Sequence, residues 1–144
     1  MMNTRLIALA LGLAAVLISP RSASAEDNHI KGDKPIRISH GEPFALQDYV
    51  VTGKTTIFDF YSDYCPPCRA LAPQLEKLHE THPDIALVIV DINRAGVKGI
   101  DWKSPVARQY ELESIPQLKI FGPDGKLKAE GDAAREMAAS LIGG

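Results

Sequence analysis

Phe58-Asp59-Phe60-Tyr61-Ser62-Asp63-Tyr64-Cys65-Pro66-Pro67-Cys68-Arg69-Ala70-Leu71-Ala72-Pro73 is the stretch that decides the fold. Its first part closes a β-branched and aromatic run, Thr55 to Tyr61, whose apolar residues fall on both faces and predict a central strand covered on two sides. Its last part enters a helix beginning near Pro66, with Leu71, Leu75 and Leu78 at helical spacing and Pro73 inside. At the handover stand Cys65 and Cys68, the only cysteines in the chain. Thiols separated by two residues at a helix start can close a small disulfide, and the helix N-terminus stabilises the first sulfur as thiolate. A closed structural zinc site wants four ligands, and no second cysteine pair supplies them. The spacing therefore points to thiol exchange.

Around this stretch the elements order themselves. Ile36 with Ile38 and Phe44 with Leu46 alternate as two short edge strands joined around Gly41. Ile85 to Val90 is a continuous apolar run, so the strand, helix and run together read as a βαβ unit. Arg94 to Lys103 reads as a loop, and Ser104-Pro105 supplies an N-cap and first-turn proline for a short helix over Val106 to Tyr110. Leu118, Ile120 and Phe121 predict a strand, Gly122-Pro123-Asp124-Gly125 a turn, and Leu127 to Glu130 the return of a hairpin. Asp132 is expected to cap a final amphipathic helix carrying Met137 and Leu141. The expected class is α/β, a mixed sheet with helices on both sides.

The N-terminus reads as an export signal. One basic residue, Arg5, precedes the apolar run Leu6 to Ile18, and Ala23-Ser24-Ala25 is a small-x-small cleavage pattern. The run is well short of the ~20 apolar residues needed to cross a bilayer. Residues 1–25 are thus expected to be a signal peptide, 26–34 a mobile polar leader and 35–144 one folded domain. Export places the product in a periplasmic or secreted setting, where disulfides form and persist. Past residue 25 the chain carries 14 basic against 18 acidic side chains, and nothing in that balance invites nucleic acid.

The quoted segment resembles the active-site segment of the thioredoxin family. The likeness continues in Ser114-Ile115-Pro116-Gln117, which is similar to the family's isoleucine and cis-proline loop, in the turn Gly122 to Lys126, and in Gly131 before the last helix. Gly41-Glu42-Pro43-Phe44, with Leu46 and Gly53-Lys54, is similar to secreted members used in cytochrome maturation and periplasmic disulfide reduction. The resemblance implies a thioredoxin fold acting as a thiol-disulfide oxidoreductase without a cofactor. Its redox disulfide would join Cys65 and Cys68, and Tyr64, Pro66, Pro67, Ile115 and Pro116 would meet the substrate. Implied partners are protein disulfide clients, apocytochrome c among them, and a DsbD-like membrane electron donor, with the protein itself a monomer.

This chain departs from the family pattern where rate and specificity are set. Tyr64 replaces the usual tryptophan before the first cysteine, Leu87 stands where a lysine often lies near the buried acid, Gln117 replaces threonine, and Pro66-Pro67 replaces glycine-proline. Neither proline has an N–H to offer the Cys65 thiolate. Cys65, nearer the helix end and the surface, is expected to attack and Cys68 to resolve. Asp59, inside an apolar strand, is expected to have a raised pKa suited to taking the Cys68 proton, directly or through a water. His79 and His82 are read as surface residues favouring the helix C-terminus, Trp102 as a partner contact or a loop aromatic folded over the domain edge, and Tyr61 and Tyr64 as packing residues with one wet edge. Arg69 adds positive potential near Cys65 or lies on a solvated helix face. A disulfide-forming oxidase or isomerase is the rival direction, and a Cu(I) carrier the rival class. Copper handling would normally bring methionine clusters, whereas Met137 is the only methionine beyond residue 25.

Overall fold

A computed structural model describes residues 32–144; the signal peptide expected over residues 1–25 and most of the leader lie outside the described residues. The elements in chain order are β1 (Ile36–Ile38), a 3-10 turn (Leu46–Tyr49), β2 (Thr55–Tyr61), α1 (Pro66–Thr81), β3 (Ile85–Asp91), α2 (Pro105–Gln109), β4 (Gln117–Phe121), β5 (Leu127–Glu130) and α3 (Gly131–Gly143). The sheet runs β1-β3-β2-β4-β5, with β1, β3 and β2 mutually parallel, β4 antiparallel to β2 and β5 antiparallel to β4. This is the thioredoxin fold, with β2 at the centre.

Alternation along β2 divides the core. Ile57 and Tyr61 face α1 and α3 with Leu75, Leu78, Leu87, Ile89, Leu118 and Ile120. Phe58 and Phe60 face the other way, against Val88, Val90, Val106 and Phe121. Both faces of the strand are therefore dry, as its unbroken apolar run requires. Thr56, the polar exception on the second face, accepts a hydrogen bond from Val51 N–H at 2.9 Å.

Three expectations are corrected. The second edge strand around Phe44 and Leu46 does not form: Leu46–Tyr49 is the 3-10 turn. Pro43 can donate to no ladder, and the backbone of Phe44 is satisfied by side chains instead, its N–H by Gln109 Oε1 at 3.1 Å and its carbonyl by Gln109 Nε2 and Tyr110 OH at 2.7 and 2.6 Å. Its ring packs against Phe58 and Tyr110. Asp132 does not cap α3, because the helix follows directly on β5 through Gly131, at φ +59°, leaving Asp132 in the first turn paired with Arg135. His79 is buried rather than on the surface, its Nδ1–H donating to Ile85 O at 2.7 Å. His82 does lie at the helix C-cap, as expected.

Two connections hold the ends of the strands that carry the site. Gly41, at φ +86°, donates from N–H to Asp91 O and accepts from Val106 N–H, and a Cβ there would approach Arg94 N to 2.8 Å. Arg94 in turn grips the buried Asp101 through Nε at 2.7 Å and Nη2 at 3.0 Å. At the described end of the leader, Lys54 Nζ donates to Gly32 O at 3.2 Å. α2 starts as the sequence predicts, with buried Ser104 Oγ accepting from Ala107 N–H at 3.2 Å and Pro105 in the first turn. Replacing that cap, Ser104→Ala, should lower stability by about 1 kcal/mol in urea unfolding with an unchanged slope; an unchanged midpoint would show that the cap carries no stability.

Candidate active site

The short β2–α1 connection sets both sulfurs. Ser62 follows directly on the strand and is fully buried; its Oγ donates to Asn93 Oδ1 at 2.7 Å and accepts from Tyr64 N–H at 3.2 Å, while its carbonyl accepts from Cys65 N–H at 3.0 Å. Asn93 extends the grip, since Nδ2 donates to Gly99 O at 2.7 Å and Oδ1 accepts from Asp101 N–H at 3.3 Å. The cysteine loop is thereby tied to the loop that carries Trp102. No spacing in the sequence marks Ser62 or Asn93, because the partners come from different strands.

Cys65 occupies the N-cap of α1, and its Sγ accepts from Cys68 N–H at 3.2 Å. Pro66 and Pro67 fill the first two helical positions, where a missing N–H costs nothing to the helix but leaves Cys68 N–H as the nearest amide donor along the chain. The helix dipole adds to that bond in favouring negative charge on Cys65. A disulfide joins Cys65 and Cys68, with 5.2 Å between their Cα atoms. Both residues are buried in this state, Cys65 at 2 % and Cys68 at 0 % exposure, so Cys65 is only marginally the more accessible.

Across from the sulfurs, the Ile115–Pro116 bond is cis, and Ile115 O lies 3.6 Å from Cys65 Sγ. Ile115 and Pro116 are half-buried, whereas Pro66, Pro67 and Arg69 are exposed. Tyr64 is 45 % and Trp102 41 % exposed, so Tyr64 is more open than a packing residue with one wet edge. Tyr61 by contrast is buried, its ring under the Arg37 guanidinium at 4.7 Å.

Asp59 sits on β2 between Ile57 and Tyr61 and shares their face, the one that α1 and Cys68 cover. It is fully buried, and neither carboxylate oxygen has a hydrogen-bond partner among the described residues. Burial pushes its pKa up to about 7, against a smaller lowering by the charge of Arg37. Leu87 lies two strand positions from Ile89, which pairs with Asp59, and it brings no charge. The arrangement combines a helix-capping sulfur, a second sulfur one turn inward and an acid that changes protonation near neutrality. Such a set can exchange a disulfide and take up the accompanying proton.

The raised pKa has a stability consequence. The folded protein holds the Asp59 proton up to about pH 7, whereas an unfolded aspartate releases it near 3.8. The stability from the neutral carboxyl is fully present below the unfolded value and is lost as pH rises to the folded one, about 4 kcal/mol in total. Asp59→Asn should abolish this loss, so its stability relative to wild type should grow between pH 4 and pH 8 in urea unfolding. A pH-independent difference would contradict the burial of an ionisable Asp59.

Known proteins agree with this geometry. The thioredoxin family model matches residues 42–142. A thioredoxin of Mycoplasmoides gallisepticum is 33 % identical over 82 residues, which cover 57 % of this chain and 73 % of that protein. A protein disulfide-isomerase of Hordeum vulgare is 32 % identical over 137 residues, 90 % of this chain but only 25 % of that longer protein. Among solved structures, a mutant thioredoxin of Halobacterium salinarum superposes with a TM-score of 0.54 at 26 % identity, covering 77 % of this chain and 93 % of that one. The chain belongs to the thioredoxin family and is a thiol-disulfide oxidoreductase.

Proposed function

We propose that this protein reduces protein disulfides in a periplasmic or secreted setting, with Cys65 as nucleophile, Cys68 as resolving thiol and Asp59 as proton acceptor. The observation that carries the reading is Cys65 Sγ at the N-cap of α1, bonded by Cys68 N–H, beside a cis proline and on the sheet face that holds Asp59. In the reduced protein, the Cys65 thiolate attacks a client disulfide, forming a mixed disulfide and expelling one client thiolate. Cys68 gives its proton to Asp59, attacks the Cys65 sulfur and expels the second client thiolate. The client gains two electrons, and the protein is left with the Cys65–Cys68 disulfide.

The cis Pro116 and the exposed Tyr64, Pro66 and Pro67 provide a rim for an extended client segment. An apocytochrome c would present such a segment, and a DsbD-like membrane donor would return the electrons. Export rests on the sequence of residues 1–25. The reducing direction rests on the cap: with prolines in both positions between the cysteines, the Cys65 thiolate gains no amide from them and is only moderately stabilised. The likeness of nearly the whole chain to one part of a protein disulfide-isomerase favours disulfide isomerisation as the second reading.

Two measurements test the proposal. Cys68→Ala should accumulate a stable mixed disulfide through Cys65, while Cys65→Ala should trap little and reduce nothing; insulin reduction by Cys65→Ala would place the chemistry elsewhere. The reduction potential should fall between roughly −270 and −180 mV, and a value near about −120 mV would reverse the flow of electrons.

A further inference from the structure

Arg37 is the charged neighbour of this site that sequence spacing does not reveal. It lies on β1 in register with Ile89, and Ile89 is in register with Asp59 on β2. Residues paired across a sheet project to the same side, so Arg37, Ile89 and Asp59 form one row beneath α1. The Arg37 side chain crosses Tyr61, its guanidinium 4.7 Å from the ring centroid. There it meets two carboxylates, with Nη2 donating to Asp63 Oδ1 at 3.3 Å and Nη1 lying 3.8 Å from Asp91 Oδ2. Asp63 stands two residues before Cys65, on the loop that presents the nucleophile. One cation thus spans the edge strand, the Tyr61 ring on the face of the buried acid and the cysteine loop.

We propose that Arg37 is a positioning residue that sets the proton affinity of Asp59 and the thiolate character of Cys65, by neutralising Asp63 and Asp91 at the mouth of the site. The Asp59 half of this proposal rests on the proton-acceptor reading above. The surrounding charges favour it. From α1, Cys68 packs on the sheet face that carries Asp59, and the exposed Arg69 acts on Asp63 at longer range. From β3, Leu87 and Ile89 are apolar and Asp91 stands at the strand end, with His40 Nδ1 3.4 Å from it. From β4 comes Leu118, and on β2 Tyr61 stays neutral because burial holds its phenol up. From α3, Arg135 is turned to Pro116 O and Asp132. The attraction of Arg37 for the Asp59 carboxylate opposes the desolvation that raises its pKa. Without Arg37, two carboxylates at the mouth would lose their guanidinium, and negative charge on both Asp59 and Cys65 would become harder to form.

Isotope-edited infrared titration of the Asp59 carboxyl, assigned by its loss in Asp59→Asn, tests the first half. Against a wild-type midpoint of about 7, Arg37→Gln should titrate roughly one unit higher. The ionised fraction at pH 7 then falls about five-fold. The alkylation midpoint of Cys65 should rise with it. Arg37→Lys, which keeps the charge, should stay close to wild type, and Asp63→Asn alone, which leaves Arg37 in surplus, should move both midpoints down. The proposal is overturned if the midpoints of Arg37→Gln coincide with wild type, if Arg37→Lys shifts as far as Arg37→Gln, or if Asp63→Asn moves neither. An infrared midpoint that rises while the resolution rate at pH 7 holds steady upholds the role of Arg37 and refutes Asp59 as the proton acceptor.

Discussion

A carboxyl without a hydrogen-bond partner among the described residues lies in the middle of a sheet that is dry on both faces. Burying such a group is unfavourable, and proteins normally pair or solvate it. Here it lies on the sheet face that Cys68 and α1 cover, and burial appears as a pKa moved from 3.8 to about 7. The surrounding architecture supplies what the carboxyl needs to remain there. The parallel β3 and antiparallel β4 hold β2 from either side, and a hydrophobic layer covers each face. The site therefore trades stability for proton affinity at neutral pH.

The sulfurs depend on a different constraint, the sharp passage from β2 to α1. Ser62 and Asn93 fix that passage by side-chain hydrogen bonds, so Cys65 arrives at the helix N-cap without needing a glycine. The prolines then stiffen the first turn and leave Cys68 N–H to meet the Cys65 sulfur. Their arrangement separates two properties: the helix dipole favours the thiolate, while the proline positions provide no further amide donors.

Much of this was legible in the sequence because it depends on local pattern. The apolar run ending at Tyr61, the Cys65–Cys68 spacing, the Ser104-Pro105 cap and the Gly122–Gly125 turn each carry a local physical signature, and the structure places each element where that signature puts it. The burial of Asp59 followed from its apolar neighbours. The failures are tertiary. Phe44 has strand-like alternation, but Gln109 and Tyr110, more than sixty residues away, take its backbone groups. His79 carries a polar side chain on a helix, and only the Ile85 carbonyl explains its burial. Nothing in the sequence singles out Arg37; only the pairing of β1 with β3 brings it into the row of Asp59.

The mechanism stands or falls on proton transfer from Cys68 to Asp59. Its most direct test is the pH dependence of the single intramolecular step in which Cys68 resolves a preformed Cys65 mixed disulfide, followed by stopped flow in wild type and Asp59→Asn. Such transfer predicts a wild-type rate that titrates with a midpoint near 7 and a slower variant whose profile lacks that titration. Superimposable profiles would contradict it.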